Sequence, residues 1–250
     1  MTKSNEPVKK AISTLSNSPF ESAVGYLKND VPMWITYLWA DSYIEGSRWY
    51  QEFRCHRDGP IPAGSSSDLK TAQFEFFKDQ GLSQTDAMLD IGCGCLFAGE
   101  SFIDYLNPEN YYGMDISPSL IKAGKQRLGE STMREKKPSL FVNADLKFDE
   151  FYADKKFDYI NCQSVWTHMP RELIQECLDN IGSVMHDESV FYPTFTEQPI
   201  DRPIETQPYN YAYYPEELIR MAEDAGLSAT QLDVEYPNEW ASVLEITLSE

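Results

Sequence analysis

The chain has 250 residues, of which 42% are apolar and 24% charged, and it carries a net charge of −19 at neutral pH. That length supports one large domain with a self-sufficient core, while so much acid repels polyphosphate and argues against nucleic acid as a partner. No apolar run approaches the roughly 20 residues of a membrane helix, and no apolar stretch follows Lys9-Lys10 to act as a signal core, so the expected compartment is the cytoplasm.

Along the chain, the first 65 residues are rich in aromatics, among them Trp34, Tyr37, Trp39, Tyr43, Trp49 and Tyr50. Capping side chains at Asn17-Ser18-Pro19 and Asn29-Asp30-Val31-Pro32 predict two or three short helices. Asp58-Gly59-Pro60-Ile61-Pro62-Ala63-Gly64-Ser65-Ser66-Ser67 then reads as a linker of turn formers. Residues 1–65 are therefore expected to be a helical extension, a lid in one reading, and residues 66–250 the main domain.

From Asp68 the pattern alternates. A helix is expected over Asp68–Asp79, a strand over Ala87–Ile91, a helix over Leu96–Leu106, a strand over Tyr111–Met114, a helix over Pro118–Leu128 and a strand over Leu140–Val142. A second half repeats it: strand Phe157–Asn161, helix Arg171–Met185, strand Ser189–Phe195, helix Pro215–Ala225, and final strands Ser228–Glu235 and Ser242–Leu248. Right-handed crossovers and strands buried on both faces imply a doubly wound α/β fold. Its mostly parallel seven-stranded sheet is expected to end in an antiparallel hairpin about Tyr236-Pro237-Asn238-Glu239. The five cysteines are an odd number, and Cys93-x-Cys95 lacks the paired spacing of zinc sites, so reduced thiols and no metal are expected.

The strongest local signal is Leu89-Asp90-Ile91-Gly92-Cys93-Gly94-Cys95-Leu96-Phe97-Ala98-Gly99, where a strand turns into a helix. Its glycines let backbone approach a nucleoside, and the helix behind presents free N–H groups. After the next strand stands Asp115, an acid placed to accept hydrogen bonds from ribose hydroxyls; a plain cap for the helix at Pro118 is the structural alternative. Phe97 is bulky where a dinucleotide loop needs glycine, which disfavours pyrophosphate. Asp90, two residues before the first glycine, suits a cationic ammonium better than a phosphate.

The stretches LDIGCGCLFAGE, YYGMDISPSLI, VNADL and FDYINCQSVWTHMP resemble the successive cofactor motifs of class I (Rossmann-like) S-adenosylmethionine-dependent methyltransferases. They are nearest a bacterial subgroup with a GCGxLxxG loop, and leucine stands at Leu96 where the commoner loop has a third glycine. The resemblance implies that Asp90, Gly92, Cys93 and Gly94 surround the methionine of S-adenosyl-L-methionine, that Asp115 and Ile116 hold the ribose, that Asp145 and Leu146 face the adenine, and that Gln163 and Ser164 border the methyl donor. The implied reaction is transfer of a methyl group to O, N or S of a small-molecule metabolite.

Loops at the carboxyl ends of parallel strands border the ligand crevice, so His168, in Ser164-Val165-Trp166-Thr167-His168, is the candidate general base. Packing against the following helix is its structural alternative. Trp39, Tyr43, Trp166, Tyr209 and Tyr211 are the candidate acceptor contacts. The competing functions are an NAD(P)-dependent oxidoreductase on the same fold and a non-catalytic binder of adenosylmethionine. A small-molecule acceptor is the expected partner, membrane and nucleic acid are not, and any assembly is expected to be a homodimer.

Overall fold

The computed structural model describes residues 40–61, 65–148, 155–198, 211–234 and 241–249. Among them, helix α1 (Tyr43–Asp58) precedes α2 (Ser67–Asp79), β1 (Met88–Ile91), α3 (Gly99–Tyr105), β2 (Tyr111–Asp115), α4 (Pro118–Lys136) and β3 (Ser139–Val142). There follow β4 (Tyr159–Cys162), a 3₁₀ turn (Trp166–His168), α5 (Arg171–Ile181), β5 (Val190–Thr196), α6 (Pro215–Asp224), β6 (Leu227–Leu232) and β7 (Ala241–Leu248). The sheet runs β3-β2-β1-β4-β5-β7-β6. Pairing is parallel from β3 through β5, and β7 lies antiparallel to both β5 and β6. The doubly wound, mostly parallel sheet with an antiparallel end is thus as anticipated, while the expected turn at Tyr236-Pro237-Asn238-Glu239 lies outside the described residues.

Alternation along the strands divides the interior into two layers. Leu89 and Ile91 of β1 pack with Ile174, Leu178 and Ile181 of α5 and Leu218 of α6. Met88 faces the other way, toward Phe77 of α2, Phe102 and Ile103 of α3, and Ile121 and Leu128 of α4. On α5 the buried Ile174, Cys177, Leu178 and Ile181 recur at helical spacing, which explains why that sequence is a helix seated on the sheet. Burial of each such side chain stabilises the fold by roughly 1.5–3 kcal/mol.

Helix starts follow their capping side chains. Ser42, Ser66 and Ser117 accept from the backbone N–H groups of Glu45, Leu69 and Leu120. Several boundaries differ from the sequence reading: the helix begun at Arg171 ends at Ile181, and β6 ends at Leu232. Helix α4 continues past Leu128 to Lys136 across a break at Gly129, whose φ of 73° is not helical. Helix α3 starts three residues late, because Gly94 (φ 56°) and Leu96 (φ 57°) are left-handed and extend the loop.

Leu96 is fully buried in this left-handed conformation. Its side chain is accommodated by Gly124 on α4, where a Cβ would come within 2.8 Å of Leu96 Cγ. Leucine in place of the commoner glycine therefore wedges α4 against the loop. The five cysteines are all free thiols.

Candidate functional site

The carboxyl ends of β1, β2 and β4 meet at the glycine loop. Gly92 and Cys93 both donate N–H groups to Met114 O, at 2.8 and 3.0 Å, which pins the loop to the end of β2. Gly92 has φ 74°, and a Cβ there would overlap Val165 Cγ2, so the segment after β4 closes directly on the loop. Cys93 is buried, with its Sγ against Gly113.

Asp115, at the end of β2, is held from two sides: Gly94 N–H donates to Oδ2 at 3.0 Å and Ser117 N–H to Oδ1 at 2.8 Å. Burial pushes its carboxyl up to about 6, while those two N–H groups pull it back. The acid expected to meet the ribose therefore sits across the loop from Gly94, and Ile116 lies half-buried beside it.

Beyond β3, Asn143 Oδ1 accepts from Asp145 N–H at 2.7 Å, and Asp145 Oδ1 accepts from Lys147 N–H at 2.9 Å. This pair of local turns fixes Asp145 next to the buried Leu146. Asn143 N–H donates to Asp115 O at 2.9 Å, tying that turn to the end of β2, and Asn143 Nδ2 is buried without a hydrogen-bond partner.

Asp90 is 4% exposed and lies under the loop. Asn161 Nδ2 donates to its Oδ1 at 2.8 Å, and the Tyr111 hydroxyl donates to its Oδ2. Burial pushes the Asp90 carboxyl up to about 7, opposed by those two donors. Neither Tyr111 nor Asn161 was singled out by sequence.

After β4, Gln163 is half-buried and Ser164 is exposed with φ 57°, its N–H donating to Thr194 Oγ1 at 2.8 Å. His168 is exposed at the end of the 3₁₀ turn, and its backbone carbonyl accepts from the Tyr43 hydroxyl at 2.7 Å. Tyr211 N–H donates to Thr167 O at 2.8 Å, its ring meets that of Tyr43 edge-on at 6.0 Å, and it stacks on Tyr213 at 6.3 Å. The Tyr213 hydroxyl donates to Met169 O at 2.6 Å. His168, Tyr43 and Tyr211 thus come together around one turn, with Tyr213 an addition to the set.

Trp166 does not join them. It is 0% exposed, with its ring against Phe191 at 5.8 Å, so it forms the floor under the turn instead of lining an acceptor pocket. Trp39 and Tyr209 lie outside the described residues.

Helix α1 also reaches the site, through a residue the sequence did not flag. Glu52 is buried, and its carboxylate accepts from Ser117 Oγ at 2.5 Å, from Ser119 N–H at 3.2 Å and from Ser119 Oγ. It therefore clamps the turn between Asp115 and α4. A carboxylate at the start of a helix is favoured by the free N–H groups there.

Residues 89–191 match the family model described as a methyltransferase domain. Among curated proteins, an uncharacterised protein of Rickettsia prowazekii (strain Madrid E) is 25% identical over 116 residues, 46% of this chain and 45% of that one. A probable methyltransferase of Aspergillus luteorubrus is 26% identical over 91 residues, 36% of this chain and 32% of that one. The chain spans less than half the length of these curated relatives.

Among solved structures, magnesium protoporphyrin IX methyltransferase from Synechocystis PCC 6803 with bound S-adenosylhomocysteine superposes with a TM-score of 0.60 at 16% identity, over 83% of this chain and 100% of that one. The glycopeptide N-methyltransferase MtfA superposes with a TM-score of 0.57 at 12% identity, covering 74% and 92%.

Proposed function

We propose that this chain, whose residues 89–191 match the model of a methyltransferase domain and whose fold is shared with solved methyltransferases, transfers a methyl group from S-adenosyl-L-methionine to O, N or S of a small-molecule metabolite. The observation that supports this reading is the pairing of Asp115 with Gly94, a carboxylate directly across the glycine loop at the carboxyl edge of the sheet, where a ribose would be held.

The residues fit the cofactor on their own chemistry. Asn161 Oδ1 and Asn143 Nδ2 are buried and without hydrogen-bond partners, one an acceptor beneath the loop and the other a donor beside Asp145. A methionine ammonium supplies donors for the first and an adenine edge supplies acceptors for the second. S-adenosylmethionine brings a methyl group on a positively charged sulfur, ready for in-line displacement. In this reading Asp90, Gly92, Cys93 and Gly94 hold its methionine part, Asp115 and Ile116 its ribose, and Asp145 and Leu146 its adenine, while Gln163 and Ser164 border the methyl.

The protein's remaining work is to orient the acceptor and exclude water. His168 is our candidate to take a proton from the acceptor, with Tyr43 and Tyr211 as the aromatic wall beside it. Residues 66–250 form the transfer domain, and α1 belongs to an extension that covers its ribose end. The small-molecule class is supported by the net charge of −19 and by neighbours named for a porphyrin and a glycopeptide. No described helix is long and apolar enough to cross a membrane.

An oxidoreductase reading is disfavoured by the antiparallel β7 and by Phe97, which occupies the loop under the guanidinium of Arg127 at 5.4 Å. The experiment is a thermal melt with S-adenosylhomocysteine or NAD. At a hundred times its Kd, S-adenosylhomocysteine is expected to stabilise the protein by about 2.7 kcal/mol. Stabilisation by NAD alone would replace this reading with the oxidoreductase one, and none by either would support a role without the cofactor.

A further inference from the structure

The sheet register brings three side chains of different strands to one point. Asp90 of β1 lies opposite Gly113 on β2 and Asn161 on β4. Tyr111, two residues before Gly113, shares its face of the sheet. Because Gly113 has no side chain, the Tyr111 ring can lie across it; a Cβ there would be 3.1 Å from Tyr111 Cε1. The Tyr111 hydroxyl then reaches Asp90 Oδ2, while Asn161 Nδ2 reaches Oδ1.

Each carboxyl oxygen of Asp90 therefore receives a donor, an arrangement that suits a carboxylate better than a carboxylic acid. All three residues are at most 4% exposed. The titratable groups facing Asp90 are Tyr111 and Asp115 from β2, Cys93 from the loop and Cys162 from β4. Burial raises the tyrosine hydroxyl and both thiols far above neutrality, so these stay uncharged, and Asp115 is of like sign. Asn161 adds its unpartnered Oδ1 as one more acceptor. A buried anion, a second carboxylate nearby and an orphan acceptor together call for a cationic donor.

We propose that Tyr111 and Asn161 are positioning residues that hold the Asp90 carboxylate aimed at the amino group of the cofactor's methionine. The inference rests on the methyltransferase reading. It goes beyond that reading by giving Tyr111 and Asn161 a part in holding Asp90, with binding of the ligand's amino-acid end, and not of its nucleoside, as the readout.

The test is calorimetric titration between pH 5.5 and 8, with S-adenosylhomocysteine and with 5′-methylthioadenosine, which has the nucleoside but no amino acid. Asp115 acts on both ligands through the ribose, so the ratio of the two affinities isolates Asp90. That ratio is expected to fall about tenfold per pH unit below the Asp90 carboxyl's midpoint of about 7. Tyr111→Phe removes one donor and is expected to move this fall upward by about one pH unit; Asn161→Ala should move it the same way.

A wild-type ratio that is flat with pH would overturn the proposal, even if Tyr111→Phe fails to fold. So would variants that weaken both ligands equally, which is the mark of a purely structural role. Failure of the wild type to bind either ligand would instead remove the underlying methyltransferase reading.

Discussion

At the scale of single residues, stability and the proposed cofactor binding oppose each other at Asp90 and Asp115. Asp90 and Asp115 are buried carboxylates whose folded-state values, about 7 and about 6, lie above the unfolded value of about 3.9. A group raised in this way favours the folded state most below its unfolded value, and that contribution is lost as pH rises through the folded value. The ligand-free protein is therefore expected to melt at progressively lower temperature between pH 5 and pH 8. Asp90→Asn should flatten that decline and raise the melting temperature at pH 8, while weakening S-adenosylhomocysteine. A melt of wild type and variant across this range checks it; a variant less stable than wild type at pH 8 would show that the carboxylate itself stabilises the fold.

At the scale of elements, helix α1 matters because of one side chain. Glu52 ties α1 to the first turn of α4, two residues beyond Asp115, through Ser117 and Ser119. Hydrogen bonds to a buried charge contribute about 1.5–3 kcal/mol. Glu52→Ala is accordingly expected to destabilise α1 by about that amount and to raise the Kd for S-adenosylhomocysteine several-fold, with faster amide exchange across Tyr43–Asp58. Unchanged exchange there would mean that α1 is held by its apolar contacts alone.

Little of this clamp was legible in the sequence, because a glutamate on a helix reads as a solvated face until its partner is known. The start of α4 was legible from Pro118, a residue that fits the first turn, although the capping side chain is that of Ser117 and not of Asp115. Its end was not: the expected stop at Leu128 coincides with the break at Gly129, beyond which the chain resumes the helix to Lys136. Likewise α3 was placed too early, because left-handed Leu96 interrupts a stretch of good helix formers.

At the scale of the whole molecule, the mostly parallel sheet and its antiparallel end were readable because buried parallel strands are short apolar runs between amphipathic helices, whereas the strand order came only with the structure. The glycine loop and Asp115 were readable because their spacing is local in the chain. The Asp90–Tyr111–Asn161 contact was not, since it depends on which strands are neighbours and in what register, and those residues are 21 and 71 positions apart. Trp166 was misjudged for a related reason: an aromatic in a loop beside the site reads as a ligand contact, yet here it fills the layer beneath, against Phe191.

The central claim is that the carboxyl edge of β1, β2 and β4 binds S-adenosylmethionine. Its most direct test is calorimetric titration of the purified chain at pH 7.5 with S-adenosylhomocysteine, run beside Asp115→Ala. The account predicts one site per chain in the wild type and at least about tenfold weaker binding in the variant, as expected for loss of a charged group's hydrogen bonds to the ribose. Equal affinity in the two proteins, or no binding to the wild type, would contradict it.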